Sequence, residues 1–165
     1  MEELRQPPGK LRIAWSDKAI SGVPVHPDVV AGLHATVKLM ESLGHEMVED
    51  QIEIDWSHFF EALVTLWTAY LAWAIDVLAN AVKRSPSYDN MERVTVELYE
   101  HGKRLTAMQM HDALANINTV SRQSGVLFEK NDLFLTPTIA QPPLILGTLN
   151  QNEAGVDARE WTRRV

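Results

Sequence analysis

"KLRIAWSDKAISGVPVHPDVVAGLHATVKLMESLGHEMVEDQIEI" (Lys10–Ile54) holds the change of hydrophobic period on which the fold turns. In "KLRIAW" (Lys10–Trp15), Leu11 and Ile13 alternate, and Ala14 and Trp15 follow with no polar break. That pattern predicts a short inner strand of a sheet. "SDKAISGVPVH" is then a loop, with Gly22 and Pro24 as breakers. Pro27 suits the first turn of a helix, and Asp28 favours its positive end. Val29, Val30, Leu33, Val37 and Met40 recur at helical spacing until Gly44 supplies the stop. Met47, Val48, Ile52 and Ile54 of "EMVEDQIEI" restart as a second strand. Strand, loop, helix, glycine and strand make a βαβ-like unit, which implies a parallel sheet.

Beyond this unit the chain is mostly helical. Asp55 or Ser57 can cap a long apolar helix that runs to about Lys83. Phe59, Leu63, Leu66, Tyr70 and Trp73 or Ala74 form its main stripe, and Leu71, Ile75 and Leu78 widen it until little polar face remains. "KRSPSYDN" is a surface break. Met91–Tyr99 reads as a short helix or helix-like spacer, although Val94, Thr95 and Val96 are β-branched. Thr106 begins another long helix in which Met110, Ala113, Ile117, Val120 and Leu127 share a face. It ends near Lys130, and Leu133–Leu135 is the third strand candidate, followed by a Thr-Pro-Thr step and a proline-rich loop. The tail "VDAREWTRR" has weak helical character. Together these features predict an α/β fold: a partial mixed or parallel sheet with long packing helices.

The 165 residues suffice for one domain with a single core and are short for two, so a single domain over 1–165 is expected. Lys and Arg number 15 against 22 Asp and Glu, a formal charge of -7 that attracts neither nucleic acid nor an acidic membrane. With no cysteine, disulfides, thiolate metal sites and cysteine nucleophiles are excluded. That composition fits a cytoplasmic protein, and "MEELRQPPGK" carries no apolar secretory core. "ALVTLWTAYLAWAI" (Ala62–Ile75) is charge-free for fourteen residues. A bilayer span needs roughly 18 or more, so a buried helix is expected and no membrane partner.

Motifs that carry chemistry are scarce. The histidines at 26, 34, 45, 58, 101 and 111 form neither HExxH nor His-x-His, and no metal site is expected. "MQMHD" places His111 beside Asp112, but adjacent helical residues point apart. Asp50, Glu53 and Asp55 lack the second half of an acid/base pair and fit a solvated edge. GxGxxG, the P-loop and GxSxG are absent, and no Ser-His-Asp triad can be assigned. Ser124 beside Gly125 lies inside a predicted helix, where a nucleophile is hard to expose. No cofactor is implied. Trp56, Phe59, Trp67 and Trp73 either pack in a core, line an apolar pocket, or face another protein surface.

Two stretches carry a resemblance. "PPGKLRIAWSD…PVHPDVVAGLHATVKLMESLGHEMVE" (Pro7–Glu49) and "FEKNDLFLTPTIAQPPLILG" (Phe128–Gly147) resemble the amidase signature family, in the same order and at about the family's spacing. The long Trp-containing helices are most similar to the branch containing cyclic-amide (nylon-oligomer) hydrolases. The resemblance implies a large mixed sheet between helical layers. It also implies amide hydrolysis through an acyl-enzyme, with a Ser nucleophile activated by a second Ser and a Lys.

No position of this sequence matches that Ser-Ser-Lys set, so no catalytic residue is assigned here. The resemblance implies a C-terminal amidase portion, catalytically incomplete, in which Thr136, Pro137 and Thr138 border the substrate pocket. Trp67, Tyr70 and Trp73 are pocket or packing residues in the same sense. A small amide substrate is then expected only in a complete enzyme. The expected partners are the missing amidase portion or a second copy, because a partial sheet leaves edges and apolar helix surface uncovered. Two alternatives stay open: one piece of a split amidase, or a non-catalytic module that self-associates.

Overall fold

Strand β1 (Arg12–Trp15) runs between β2 (Glu46–Glu49) and β3 (Leu133–Leu135) in a three-stranded sheet of order β2-β1-β3, parallel throughout. This computed structural model describes residues 7–164. Ile13 faces Met47 on one side and Leu133 on the other; Ala14 faces Val48 and Phe134. Both β1 residues are buried, which is why its sequence is an apolar run rather than a polar alternation.

The register is fixed at the start of β1. The Leu11 carbonyl accepts Glu46 N–H at 2.8 Å, and the Arg12 carbonyl accepts Asp132 N–H at 2.8 Å. The Asp132 carboxylate returns the contact by accepting Arg12 N–H at 2.8 Å, and Arg12 pairs with Glu46 through its guanidinium. His45 Nδ1 accepts Leu11 N–H at 3.2 Å. Each edge of β1 is thus gripped by a side chain as well as by the ladder.

Helix α1 (Pro27–Ser42) connects β1 to β2, with Pro27 in its first turn and Leu33 and Val37 buried. Its cap is His26, whose Nδ1 accepts Asp28 N–H at 3.2 Å, a role that the usual cap residues Ser, Thr, Asp and Asn normally fill. Gly44, at φ +92°, makes the left-handed exit that a Cβ would strain. Strand β2 is shorter than the sequence pattern predicts. Asp50 N–H reaches the Trp15 carbonyl at 3.1 Å, β1 ends there, and residues 50–55 have no strand neighbour to pair with.

The chain forms two compact units. One holds the sheet and comprises the residues through Trp56 together with Val120–Leu144; the other comprises Ser57–Thr119 and the residues from Ile145 onward. The second unit is helical: α2 (Trp56–Val82), α3 (Arg93–Lys103), the first part of α4 (Ala107–Phe128), and α5 (Ala158–Arg164). Its core joins Val94 and Leu98 of α3 to Val156, Ala158 and Trp161, with Leu71 of α2 against them. The first N–H groups of α3 are capped from the 145–157 segment: Val94 N–H donates to the Gln151 carbonyl at 2.9 Å, and Arg93 N–H to Asn152 Oδ1 at 3.2 Å. Thr106 and Gln109 form a reciprocal capping box at the head of α4, with contacts of 3.2 and 2.9 Å.

Helix α2 is 27 residues long, so it extends well past the charge-free run and includes Glu61 and Asp76. By length and composition it is sufficient to cross a bilayer. Its buried residues are Phe60, Ala62, Val64, Thr68, Ala72 and Ile75. Tyr70 and Trp73 of the expected stripe, and Trp67 beside it, lie elsewhere: Trp67, Tyr70 and Trp73 are 62%, 64% and 61% exposed. The inversion has a cause in α3. A Cβ on Gly102 would sit 2.1 Å from the Thr68 carbonyl oxygen and 2.8 Å from the Ala72 Cβ, so the two helices touch backbone to backbone. Only small side chains fit on α2 where Gly102 crosses it, at Thr68 and Ala72. Thr68 fits because its hydroxyl donates to the Val64 carbonyl of its own helix at 2.7 Å.

Gly102→Ala is accordingly expected to destabilise the chain by about 1–3 kcal/mol, the usual range for overpacking a tight contact. Gly32→Ala, a helical site with nothing within 4 Å of the new Cβ, is expected to stabilise it by roughly 0.5–1 kcal/mol. Urea unfolding of the two variants beside the parent chain measures both.

Candidate functional site at the carboxyl ends of the parallel strands

In open parallel sheets, ligands bind outside the carboxyl ends of the strands, where connections leave in opposite directions. Here that place lies between β1 and β3, because the chain proceeds from β1 to β2 on one side and β3 enters on the other. Thr136, Pro137 and Thr138 immediately follow β3 and therefore stand at this end. Both threonines are exposed and Pro137 is half-buried. With Val29, Leu33 and Thr36 of α1 they border a recess of about 290 Å³.

Hydrogen bonds hold the rim to the β1–α1 loop. Ser16 N–H donates to the Leu135 carbonyl at 3.2 Å and His26 N–H to the Ala140 carbonyl at 2.8 Å. The Gln141 amide donates to the Pro24 carbonyl at 2.8 Å. A larger recess of about 530 Å³ opens at the carboxyl ends of β1 and β2, lined by Asp17, Lys18, Ile20, Val25, Gln51 and Ile54 among others.

The titratable group beside this end is a pair that the sequence did not single out. His34 Nε2 lies 3.1 Å from Asp17 Oδ2, and the ring of Trp15 meets the His34 ring edge-on with centroids 5.4 Å apart. Ser16 is buried, but its hydroxyl accepts Lys18 N–H at 3.1 Å and faces the Lys18 carbonyl, not His34. The arrangement can orient and bind polar groups. It holds no serine in register with a base, which nucleophilic attack requires. Among the described residues no three His, Asp or Glu side chains converge as metal ligands. Asp17 and His34 are separated by a loop and two turns of α1, a spacing that no local motif records.

The other sequence-predicted residues belong to the helical unit. Tyr70 and Trp73 stand together on the exposed face of α2, ring centroids 5.8 Å apart at 41°, and Trp67 is one turn before Tyr70. The flank of this face is fastened by ions. Asp76 accepts from Tyr99 Oη at 2.8 Å and pairs with Lys103 at 2.5 Å. The Lys103 ammonium, and next the Tyr99 hydroxyl, hold the Asp76 carboxyl below the usual carboxylate range; Asp76 in turn pushes Tyr99 and Lys103 up. Burial, and then Arg104, press His101 below the ordinary imidazole value.

The parallel sheet and the helices packed with it define an α/β protein. More narrowly, the chain belongs to the amidase family, whose model matches residues 1–162. It is 27% identical over 143 residues to AmiA2 of Mycobacterium tuberculosis, a protein named as an amidase, with 82% of this chain and 27% of that protein covered. It is 21% identical over 128 residues to a lipoamidase of Enterococcus faecalis, covering 78% of this chain and 18% of the lipoamidase. Among solved structures, it superposes on 6-aminohexanoate cyclic dimer hydrolase with a TM-score of 0.82 and 16% identity, over 94% of this chain and 33% of that one. A bacterial aryl acylamidase of the amidase signature family gives 0.70 and 16%, over 86% and 29%. The chain thus spans between about a fifth and a third of the length of these relatives.

The Asp76 clamp has a defined pH window. Its lowered pKa means a contribution fully present above the ordinary carboxylate value of about 4 and lost as pH falls through the lowered one. The raised pKa of Lys103 means a contribution present below about 10.4 and lost as pH rises through the raised value. Asp76→Asn should therefore melt at a lower temperature than the parent at neutral pH, with the gap closing at both the acid and the alkaline end. Thermal melts followed by circular dichroism across pH test this.

Proposed function

We propose that this chain supplies the fold and one rim of the substrate cleft of an amidase-family hydrolase, and that it is catalytically incomplete by itself. The parent reaction is hydrolysis of an amide bond. A serine oxygen attacks the carbonyl carbon, the amine leaves with a proton, and water then releases the acid from the acyl-enzyme. The substrate class is a small amide bound in the complete enzyme. Thr136, Pro137 and Thr138 form that rim.

The observation that carries this reading is the family match across residues 1–162, together with the lack, among the described residues, of a serine in register with a base at the strand ends. The lysine whose ammonium grips a carboxylate, Lys103, serves the α2–α3 clamp instead. Two further features support it. Among the described residues, β2 and β3 pair on one side only, the side facing β1. Ile145 and Leu146 are 85% and 99% exposed, an uncovered apolar step directly after the proline-rich loop.

The test is an amide- and ester-hydrolysis assay of the purified chain, alone and mixed with a polypeptide carrying the Gly/Ser-rich part of an amidase. No turnover is expected from the chain alone. Turnover that co-purifies with it and is abolished by Ser16→Ala or His34→Ala would overturn the reading. Turnover only in the mixture would make the chain one half of a split enzyme.

A further inference from the structure

The exposed face of α2 has an order in its side-chain sizes that a random apolar surface lacks. Leu63, Trp67, Tyr70, Ala74, Val77 and Ala81 follow one another at alternating spacings of four and three residues, the repeat of a helix-pairing seam. Trp67 and Tyr70 are 62% and 64% exposed and Val77 is 52% exposed, so this seam is open along the helix. Its first three members are large and its last three small. The sizes are antisymmetric about the level of Ala72.

We propose that this face pairs with the same face of a second copy of the chain, antiparallel, about a two-fold axis at that level. Leu63 then stands opposite Ala81 of the other copy, Trp67 opposite Val77, and Tyr70 opposite Ala74. Every large side chain meets a small one, which is how facing layers interdigitate without voids or overlap. A parallel pair would set Trp67 on Trp67 and Ala74 on Ala74, with a clash at one end and a gap at the other. An isologous contact of this kind closes on itself and stops at two.

Size permits a stable contact. Trp67 and Tyr70 on the seam and Trp73 at its flank, each about six-tenths exposed, offer with the aliphatic residues beside them roughly 600 Å² per copy, near the lower bound of specific interfaces. That patch is at the top of what monomers leave uncovered. The stretch Ala62–Ile75 carries no charge to oppose the approach, and the helix dipoles run head to tail. A bilayer is the poorer occupant. Asp76 sits in the same helix, ion-paired to Lys103, and a span would bury it in hydrocarbon. The pairing does not depend on the hydrolytic reading.

The experiment uses sedimentation velocity over a micromolar concentration series, and cross-linking made simple by a chain without cysteine. The parent should sediment as a dimer, and Trp67→Glu, at an exposed site, should weaken it about 30-fold or more. Ala74→Tyr should abolish the dimer, and Tyr70→Ala combined with Ala74→Tyr should restore it, since the swap exchanges large for small in both copies. A mixture of Leu63→Cys and Ala81→Cys chains should form a mixed disulfide, whereas Leu63→Cys alone should not cross-link. A parent that stays monomeric, an Ala74→Tyr variant that still dimerises, or self-linked Leu63→Cys would each overturn the proposal. Flotation of a monomeric parent with phosphatidylcholine vesicles would overturn it in favour of a lipid surface.

Discussion

The contact at Gly102 governs the helical unit. Because α3 has no side chain there, it lies against the Thr68 carbonyl and the Ala72 methyl of α2, and that closeness decides which face of α2 is inside. Helix α2 is apolar nearly all round, and hydrophobicity alone would prefer to bury Trp67, Tyr70 and Trp73, which carry the largest transferable area. Sterics wins because a backbone contact admits no indole or phenol. The large side chains are displaced to the other face, and the polar groups needed on the tight face are short or paired. Thr68 satisfies its hydroxyl within its own helix, and Asp76 is held by Tyr99 and Lys103.

The sheet depends on a different constraint, the saturation of β1 on both edges. A strand of four residues closes few ladder bonds, and β3 must be brought in from 120 positions away, at the cost of a long loop closure. Asp132 offsets this locally: its N–H and its carboxylate both bind Arg12, and the same Arg12 reaches across to Glu46 on the opposite strand. One residue of β1 therefore aligns both neighbours. The Thr136–Thr138 rim inherits its position from that alignment, since it begins one residue after β3 ends.

These two constraints explain what the sequence could and could not disclose. β1, α1 and β3 were legible because the signal is local: an apolar run, Pro27 ahead of a 3.6-residue stripe, Gly44 at its close, and the Thr-Pro-Thr step after Leu135. The family resemblance rests on the same stretches, and the match over residues 1–162 agrees with it. The inner face of α2 was not legible. Periodicity cannot choose between faces of a helix that is apolar on both, and the deciding residue, Gly102, lies in another helix. The Asp17–His34 pair was hidden for a related reason, since only the folding of α1 back along β1 brings its members to 3.1 Å. The truncated β2 is a third case. Ile52 and Ile54 keep the strand pattern, but strand state depends on a neighbour, and β1 has ended by then.

The two faces of α2 make opposite demands on its surroundings. The tight face is complete: its ions are paired, its hydroxyl is bonded, and the Arg159–Glu61 pair at 2.8 Å and the Arg163 guanidinium 5.2 Å from the Phe60 ring bring α5 against the start of the helix. Adding anything there would break existing contacts. The broad face has aromatic area and no ion to solvate, so water gains nothing from it and an apolar partner gains much. A second copy paired as proposed would meet this face with the size gradient from Leu63 to Ala81 reversed, large side chains against small.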